Sequence, residues 1–432
     1  MDTMSTVEMQ IAARAKKFPD EALTNLHQYI DESLLMESFG RLNKNGSPGV
    51  DCESWYDYDR TKMERIPQLL AGFKGGTYRA PHIRRVYIPK GDGKLRPLGI
   101  PTIEDKVLQT AVSRVLMPVY EEVFHDCSYG YRPGKSPHDA IEALFKEVSF
   151  GGKRYIIDAD LQNYFGSINH SCLREFLDLR INDGVVRKMI DKWLKAGIME
   201  EGKLTYSSEG TPQGGSCSPL LSNVYLHYVL DDWFIEQIQP LLKGKSFLIR
   251  FADDFLMGFT HKEDAERVLA VLPKRLGKYD LTLHPEKTRL IDLGGGENGG
   301  NTHESACFDF LGFTHYMATS RKGKLVLKRK TSKKKYRSAL IRMNLWLRNN
   351  RHQNTCTLID NLNQKLRGYY GYYGITFNSR RLDGYYERVK RLLHYWLNRR
   401  GGKRVWKWER YVKLITEWKP LIKPRICHSS VS

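Results

Sequence analysis

Several features that mark common protein classes are missing from this sequence of 432 residues. Its seven cysteines include no C-x-x-C pair, so neither a zinc knuckle nor a disulfide framework is expected. No apolar run approaches the roughly 20 residues that a membrane helix needs. The N-terminal segment lacks the apolar core of a signal peptide, which favours a cytoplasmic protein with reduced cysteines.

Acidic residues are scarce in the last quarter of the chain. Residues 321–432 contain 30 Lys and Arg against 5 Asp and Glu, a net charge of +25, whereas residues 1–320 carry 39 basic and 44 acidic side chains. The same quarter is rich in Trp, Tyr and Phe, which a solvated tail would not need. A folded basic module interleaved with aromatic residues indicates binding to a polyanion, RNA or DNA.

The hydrophobic pattern predicts two hairpins and two long helices. Residues 83–101 alternate apolar and polar side chains around a Gly-Asp-Gly turn, which is typical of a β-hairpin. Residues 247–259, FLIRFADDFLMGF, predict a second hairpin with a tight turn at Ala252-Asp253-Asp254. Apolar side chains recur with helical spacing in residues 106–124 and in residues 218–235.

The two Asp-Asp pairs of the chain have different predicted settings. Asp231-Asp232 lies in a helical pattern, where successive side chains diverge by about 100° and cannot converge on one ion, so a solvated helix face is expected. Asp253-Asp254 lies at the hairpin turn, which can aim carboxylates at one point outside the sheet. Arg250 is expected on the opposite face of its strand. Because burying two uncompensated carboxylates is costly, a cation is expected to meet them.

Asp160, at the end of the predicted strand KRYIIDADL, offers a third carboxylate. Three carboxylates at the ends of neighbouring strands would form an oxygen-ligand site for a hard cation such as Mg²⁺. Two such ions about 4 Å apart can activate an attacking hydroxyl and stabilise a leaving oxygen in phosphoryl transfer. The residues alone leave an alternative open, in which Asp158 and Asp160 merely cap a loop.

A series of motifs resembles those of group II intron-encoded reverse transcriptases, in that family's order. DADLQNYFGSI, GTPQGGSCSPLLSNVYL and FADD are similar to the A, B and C motifs of reverse transcriptases. The narrower resemblance lies between about residues 40 and 316 and rests on GSPGVD, IPKGDGKLRPLGIP, SYGYRPGKSPHDAI, LHPEKTRLI and FDFLGF. The tail, from LRGYYGYYGI to YWLNRR, resembles the thumb or maturase X region of that family.

The resemblance implies an α+β fold with the right-hand architecture of polymerases. Such a hand consists of fingers, a palm with an antiparallel sheet plus helices, and an α-helical thumb. The N-terminal extension and fingers would occupy residues 1–105, and the remaining fingers and catalytic palm would occupy residues 106–318. The basic helical thumb, or maturase X domain, would occupy residues 319–432.

The resemblance also implies which residues carry the chemistry. Asp160, Asp253 and Asp254 would hold two Mg²⁺ ions, for which Mn²⁺ can substitute. The backbone carbonyl of Leu161 would add a further ligand to this metal site. Lys287, in the motif PEKTRL, would protonate the leaving pyrophosphate, although a lone lysine of this kind is usually an ordinary surface residue.

Contacts to the incoming nucleotide are implied in the same way. Lys90 and Arg96, on the first hairpin, would bind the triphosphate, where Arg offers a bidentate fork. Phe165 would lie under the nucleotide sugar and clash with a 2′-hydroxyl, which favours dNTPs over rNTPs. Gln213 would pack near the nucleotide and the template strand. Lys90 and Arg96 also have an ordinary interpretation as solvated charge, and Phe165 has one as a core aromatic residue.

The C-terminal quarter would bind nucleic acid, with charges on phosphates and rings on sugars or unstacked bases. Many of its aromatic residues must instead build the core of the helical module. The candidate nucleic-acid contacts are Arg367, Tyr369, Arg391, Arg399 and Arg400. The helix-stripe residues expected to be buried are Leu392, Leu393 and Trp396.

The sequence departs from the family pattern in three respects. Phe251 replaces the tyrosine that most often precedes the Asp pair, which keeps the ring and removes a hydroxyl. Gly166 stands where the family often has an Asp that is not a metal ligand. The sequence ends at Ser432 without the cysteine pairs of a DNA endonuclease region, so that activity is expected to be absent.

The leading hypothesis is an RNA-dependent DNA polymerase that also binds a structured intron RNA as a splicing maturase. Its partners would be an RNA template, a DNA or RNA primer, dNTPs and the intron RNA. One alternative is a domesticated polymerase in phage defence, CRISPR or DNA repair, which the DNA flanking the gene would distinguish. A second alternative is an RNA-binding splicing factor with an inactive polymerase, against which the complete set of carboxylates argues.

Overall fold

Many helices of the protein begin at a short polar side chain that caps their first turn. The computed structural model describes residues 5–89, 95–200, 203–205, 210, 214–294, 306–320, 322–401 and 406–429. Ser5 and Ser54 each form a capping box with an acidic residue three places later, which satisfies two backbone N–H groups. Asp31 and Thr102 accept a hydrogen bond from a backbone N–H in the helices that follow them.

The helices fall into two groups along the chain, one before and one after residue 300. Those before it are α1 (Thr6–Lys17), α2 (Glu32–Gly40), α3 (Trp55–Lys74), α4 (Ile103–Glu121), α5 (Pro137–Ser149), α6 (His170–Asp178), α7 (Gly184–Leu194), α8 (Ser218–Leu226) and α9 (Lys262–Gly277). Those after it are α10 (Lys333–Asn350), α11 (Thr355–Tyr373), α12 (Ser379–Leu397) and α13 (Trp408–Lys413). None of these helices combines the length and apolar character needed to cross a bilayer.

The strands form three sheets within the described residues, and with the helices they confirm the predicted α+β class. The strands are β1 (Ile83–Pro89), β2 (Leu95–Ile100), β3 (Tyr155–Asp160), β4 (Ile198–Glu200), β5 (Lys203–Thr205), β6 (Ser246–Phe251), β7 (Asp254–Phe259), β8 (Arg289–Asp292), β9 (Cys307–Phe310), β10 (Phe313–Thr319) and β11 (Leu325–Thr331). The sheet orders are β2-β1-β4-β5, β6-β7-β3-β8 and β11-β10-β9. Of the strand pairs whose register is defined, β1 and β4 run parallel and the others run antiparallel.

Both predicted hairpins are present. In the first, β1 and β2 pair from Arg84 opposite Ile100 to Pro89 opposite Leu95. In the second, Phe251 of β6 lies opposite Asp254 of β7, so Ala252 and Asp253 alone form the turn. The interior residues of β6 and β7 are buried, which fixes the register because a slip by one residue would exchange the two faces of each strand.

The chain separates into two compact units. The first contains residues 1–140 and 155–290, and the second contains residues 141–154 and 291–432. The core of the second unit is built from α10, α11, α12 and α13. The boundary near residue 319 stays a prediction; the second unit also includes β9 and β10, and β10 pairs with both β9 and β11.

The long helix predicted over residues 218–235 is present but changes its winding. Helix α8 continues into two π-helical turns, His227–Asp231 and Trp233–Ile238. Such turns are rare in proteins and are frequent at functional sites. The predicted apolar stripe along this helix is buried and consists of Leu221, Tyr225, Val229 and Trp233.

Asp231, expected to face solvent on this helix, is fully buried instead. Its carboxylate accepts hydrogen bonds from Arg250, at 2.8 Å from Nε to Oδ1 and at 2.5 Å from Nη2 to Oδ2, and Arg250 is equally buried. Burial alone would lower the pKa of Arg250, but the charge of Asp231 outweighs it and raises that pKa. The expectation was wrong because a buried arginine requires a buried counter-charge, and the helix supplies it.

Replacing Asp231 with Ala should lower the free energy of unfolding by about 3–5 kcal/mol, because Arg250 then stays buried without its counter-charge. Chemical denaturation followed by circular dichroism measures this change. As a control, Lys262→Ala breaks an ion pair with Glu266 in which both side chains are 55% exposed, and should cost no more than about 0.5 kcal/mol. A similarly small effect of Asp231→Ala would mean that the buried pair contributes little stability.

Candidate active site

The turn between β6 and β7 carries two carboxylates on a strained backbone. Ala252 has a φ of 57°, a left-handed conformation that alanine rarely adopts, and Asp253 and Asp254 follow it. The Arg250 side chain donates a hydrogen bond to the Ala252 carbonyl at 3.2 Å. The guanidinium that pairs with Asp231 therefore also holds the turn from inside the core.

Gly130 lies directly against this turn. A Cβ atom on Gly130 would be 2.4 Å from the backbone nitrogen of Ala252, so only glycine fits there. The Gly130 carbonyl accepts a hydrogen bond from Asn223 Nδ2 at 2.7 Å, and Asn223 Oδ1 accepts one from Arg250 Nη1 at 2.9 Å. The sequence analysis did not identify these residues. The signal that could have found them is Arg250, a lone charge in an apolar strand, which requires buried acceptors.

The register of β3 and β7 brings the third predicted carboxylate to the same end of the sheet. Asp160 lies directly opposite Asp254, and Asp158 lies opposite Leu256. Because side chains two residues apart share a strand face, Asp158 and Asp160 lie on the face that carries Asp254. Arg289 approaches this group from the neighbouring strand, with its Nε 3.4 Å from Asp158 Oδ2.

Burial and mutual repulsion oppose the ionisation of these carboxyl groups. Burial raises the pKa of Asp254 to about 8, and the same direction of shift comes from the negative charges of Asp158, Asp160 and Asp253. Burial also raises the pKa of Asp253, with a further contribution from Asp160. A bound cation would relieve this repulsion, and carboxylate oxygens are the ligands that Mg²⁺ prefers. The donor set therefore fits a hard divalent cation.

Two predicted cationic residues lie beside the carboxylates. The Lys287 ammonium group forms an ion pair with Asp160. Arg96 is exposed on β2 and is close enough to Asp253 to oppose the rise in its pKa, although burial has the larger effect. The positive charges of both residues therefore act on the carboxylates of the site. Their roles in binding a nucleotide stay predictions.

The other residues predicted at this site have different surroundings. The Phe165 side chain is 6% exposed and contacts Tyr164 edge-on, with ring centroids 5.3 Å apart. Its role in sugar selection stays a prediction. The Leu161 side chain is buried, and its predicted ligand is the backbone carbonyl. Lys90 and Gln213 lie outside the described residues.

Several known proteins are similar in sequence to the part of the chain that carries the site. The family model described as "Reverse transcriptase (RNA-dependent DNA polymerase)" matches residues 88–315, more than half of the chain. The chain belongs to the reverse transcriptase family. It is 36% identical over 241 residues to the group II intron-encoded protein LtrA of Lactococcus lactis subsp. cremoris, a match that covers 55% of this chain and 39% of LtrA.

Two further relatives of this reverse transcriptase family member differ in how much of their length is matched. Protein YkfC of Escherichia coli K12 is 30% identical over 361 residues, which cover 74% of this chain and 91% of YkfC. An uncharacterized 91 kDa protein in the cob intron of Schizosaccharomyces pombe is 31% identical over 245 residues, covering 56% of this chain and 30% of that protein. The chain thus spans well under half of LtrA and of the yeast protein, and nearly all of YkfC.

In this member of the family, the arginines predicted to contact nucleic acid lie in the second unit. Arg367, Arg391 and Arg399 are exposed, and the Arg399 guanidinium lies over the Tyr395 ring, 4.2 Å from its centroid. Arg400 is half-buried and donates a hydrogen bond to a threonine hydroxyl at 2.8 Å. Three of the four arginines are therefore accessible to a polyanion, and the fourth is partly engaged within the fold.

Tyr369 packs within the second unit, and its role toward nucleic acid stays a prediction. Its ring stacks on that of Tyr385, with centroids 3.8 Å apart, and the residue packs against the core of the second unit. This face of the ring is therefore used for packing and is closed to a nucleotide. Of the residues predicted to be buried, Leu393 is fully buried, whereas Leu392 and Trp396 are half-buried against the same core.

Replacing Gly130 with Ala should lower the free energy of unfolding by about 1–3 kcal/mol, because the added methyl group collides with the backbone of Ala252. Chemical denaturation measures the loss. Gly40→Ala is the matched control, since Gly40 ends α2 and has open space around the position of its missing Cβ. Equal stability of the two variants would show that the turn can move away from residue 130 without cost.

Proposed function

We propose that the protein is an RNA-directed DNA polymerase that extends a primer by two-metal nucleotidyl transfer. The observation that carries the proposal is the arrangement of three carboxylates at adjacent strand ends. Asp160 and Asp254 lie opposite each other in β3 and β7. Asp253 lies in the two-residue turn, directly before Asp254. Membership of the reverse transcriptase family supports this reaction class.

Asp160, Asp253 and Asp254 would hold two Mg²⁺ ions, with the Leu161 carbonyl as a further ligand. The raised pKa values of Asp253 and Asp254 support this assignment, because they reflect burial and, to a smaller extent, the negative charges of neighbouring carboxylates, both of which a bound cation would offset. When bound, such ions activate the primer 3′-hydroxyl and stabilise the leaving oxygen of the pyrophosphate. Mn²⁺ can substitute, since it also prefers oxygen ligands.

The chain's own cationic groups would bind and orient the nucleotide. Arg96 has a planar guanidinium suited to bidentate contact with a triphosphate, and Lys90 on the same hairpin would add a second positive charge. Lys287, which contacts Asp160, would donate a proton to the leaving pyrophosphate. Phe165 would limit the space beneath the sugar, and Gln213 would line the nucleotide and template.

A right-hand architecture would assign one task to each sheet and helix group. We assign the β6-β7-β3-β8 sheet to the palm, because it carries the three carboxylates. The β1–β2 hairpin, which carries Arg96, corresponds to the fingers. The basic helices α10, α11 and α12 of the second unit correspond to a thumb or maturase X region.

A cleft of about 1080 Å³ in the second unit supports the binding of nucleic acid. Its lining includes basic and aromatic side chains: Arg351, His352, Arg391, Tyr395, Arg399, Arg400 and Trp408. Guanidinium groups suit backbone phosphates, and aromatic rings suit unstacked bases. Because LtrA is a group II intron-encoded protein, we propose that this chain binds a structured intron RNA and acts as a splicing maturase, in addition to binding its template and primer.

Asp254→Asn should reduce Mg²⁺-dependent extension of a DNA primer on an RNA template at least about a hundredfold, because metal-stabilised transition states lose several kcal/mol. Gel-based primer extension with all four dNTPs measures the rate. The matched control is Asp178→Asn, since Asp178 is 64% exposed and lies on α6, and this variant should extend normally. Undiminished extension by Asp254→Asn would overturn the assigned mechanism. Absence of extension by the unmodified protein, with intact splicing, would favour an RNA-binding factor instead.

Arg391→Ala combined with Arg399→Ala should weaken the binding of a fluorescein-labelled group II intron RNA. Each arginine that contacts a phosphate should also reduce the slope of log affinity against log salt concentration by about one. Fluorescence anisotropy across a salt series measures both quantities. Arg267→Ala removes an arginine that is 63% exposed on α9 and should leave affinity and slope unchanged. An unchanged slope in the double variant would exclude this cleft as a phosphate-binding surface.

A further inference from the structure

Apart from the carboxylate site, two histidines and an aspartate converge within the first unit. His125 Nε2 lies 2.7 Å from Asp232 Oδ1, and His227 Nε2 lies 3.4 Å from the same oxygen. The three potential ligand atoms all lie within 4.8 Å of one another. In a tetrahedral zinc site, ligand atoms are about 3.3 Å apart, so small side-chain rotations would complete that geometry.

A π-helical turn brings two of these side chains together. In an α-helix, residues five apart differ by about 140° around the axis and cannot share a ligand. Here the backbone N–H of Asp232 donates to the carbonyl of His227, and this wider turn places the two residues one above the other. His125 joins them from the segment that follows α4. The π-helical winding thus brings the side chains of His227 and Asp232 close to each other.

The charges around the cluster favour a cation beside Asp232. Each of the nearby arginines already holds a carboxylate partner, at 2.5 Å for Arg250 and at 3.0 Å for Arg132. Within the described part of the chain, the ion-pair contacts of Asp232 are with the two imidazoles rather than with lysine or arginine. The Asp232 carboxylate therefore faces two imidazole groups, and each of the three side chains is a potential metal ligand.

The ligand chemistry selects the class of ion. The His227 side chain is buried, and its Nε2 lies toward the Asp232 carboxylate. The side chains of His125 and Asp232 are 26% and 32% exposed, which gives an ion access from solvent. Imidazole nitrogens suit Zn²⁺ and similar transition metals, whereas Mg²⁺ and Ca²⁺ prefer sites made of oxygen ligands alone.

We propose that His125, His227 and Asp232 form a structural binding site for a divalent transition-metal ion, with Zn²⁺ as the ion best suited to this ligand set. Water would complete the coordination on the exposed side. The site is built from ligands other than the three carboxylates of the polymerase site. It would persist when those carboxylates are removed.

Metal binding here would support the strand that carries the catalytic turn. The segment after His125 is paired with β6, since the Cys127 carbonyl accepts from the Arg250 N–H at 2.8 Å and the Tyr129 N–H donates to the Arg250 carbonyl at 2.8 Å. The helix that carries Asp232 also supplies Asp231, the partner of the Arg250 side chain. An ion would tie these two segments together on either side of Arg250.

Zinc titration of the tag-free full-length protein, stripped with a chelator, tests the proposal. The background lacks the catalytic carboxylates, through Asp160→Asn, Asp253→Asn and Asp254→Asn. Calorimetry should give one Zn²⁺ per chain, and adding His125→Ala or Asp232→Asn should weaken binding at least about tenfold. His261→Ala, which removes an exposed histidine outside the proposed sites, should leave the affinity unchanged. Absence of binding, or equal binding by all variants, would overturn the proposal.

Co²⁺ absorption in the same background identifies the ligands. Imidazole and carboxylate ligands should give visible d–d bands without a thiolate charge-transfer band in the near ultraviolet. Asp232→Asn should remove the visible bands. A thiolate band that persists in Asp232→Asn would assign the ion to cysteines and contradict the proposal.

A thermal measurement adds a readout that is independent of spectroscopy. Zn²⁺ should raise the Tm of the background protein by several degrees, and should raise that of its Asp232→Asn derivative much less, because the ion binds only the folded site. Asp232→Asn preserves the side-chain shape, so this comparison does not depend on how well His125→Ala folds. An equal rise in Tm for the two proteins would show that the cluster binds no ion and consists only of hydrogen bonds between histidine and aspartate, which would overturn the proposal.

Discussion

The buried pairing of Arg250 with Asp231 is the interaction on which the turn between β6 and β7 depends. A guanidinium group enclosed by apolar side chains must have its charge neutralised and its donors satisfied, and Asp231 meets the first requirement. The remaining donors reach Asn223 and the carbonyl of Ala252. A single side chain thus joins a strand, a helix and a turn, and holds Ala252 in a conformation that it would not adopt alone.

The hydrogen bonds of Arg250 hold the turn in place although the negative charges of the carboxylates beside it are not fully neutralised. Asp231 neutralises the positive charge of Arg250, whereas burial and neighbouring negative charges raise the pKa values of Asp253 and Asp254. Positive charge approaches them from Arg96 and Lys287, both more exposed than the core arginine. Arg250, in β6, is therefore only a few residues from the two carboxylates that follow the strand, Asp253 and Asp254.

Local patterns in the sequence were sufficient to predict the hairpins and the long helix. Alternating apolar residues and apolar residues repeated every four positions can be recognised from residues that are close together in the sequence. The pairing of Asp160 with Asp254 required a strand register, which periodicity does not contain and which motif resemblance supplied. The burial of Asp231 was mispredicted because the helical pattern does not show its partner Arg250, which lies in a strand elsewhere in the sequence. Tyr369 stacks on Tyr385, which lies in a different helix. The sequence alone could therefore not show whether the Tyr369 ring packs in the core or binds nucleic acid.

The most direct test of this account is anomalous diffraction from crystals grown with Mn²⁺, an RNA template with a DNA primer, and a non-hydrolysable dNTP. Two manganese peaks are predicted, each about 2.1 Å from oxygens of Asp160, Asp253 or Asp254, with Arg250 still paired to Asp231. Manganese bound at other residues, with the three carboxylates apart while the nucleotide is in place, would contradict the account.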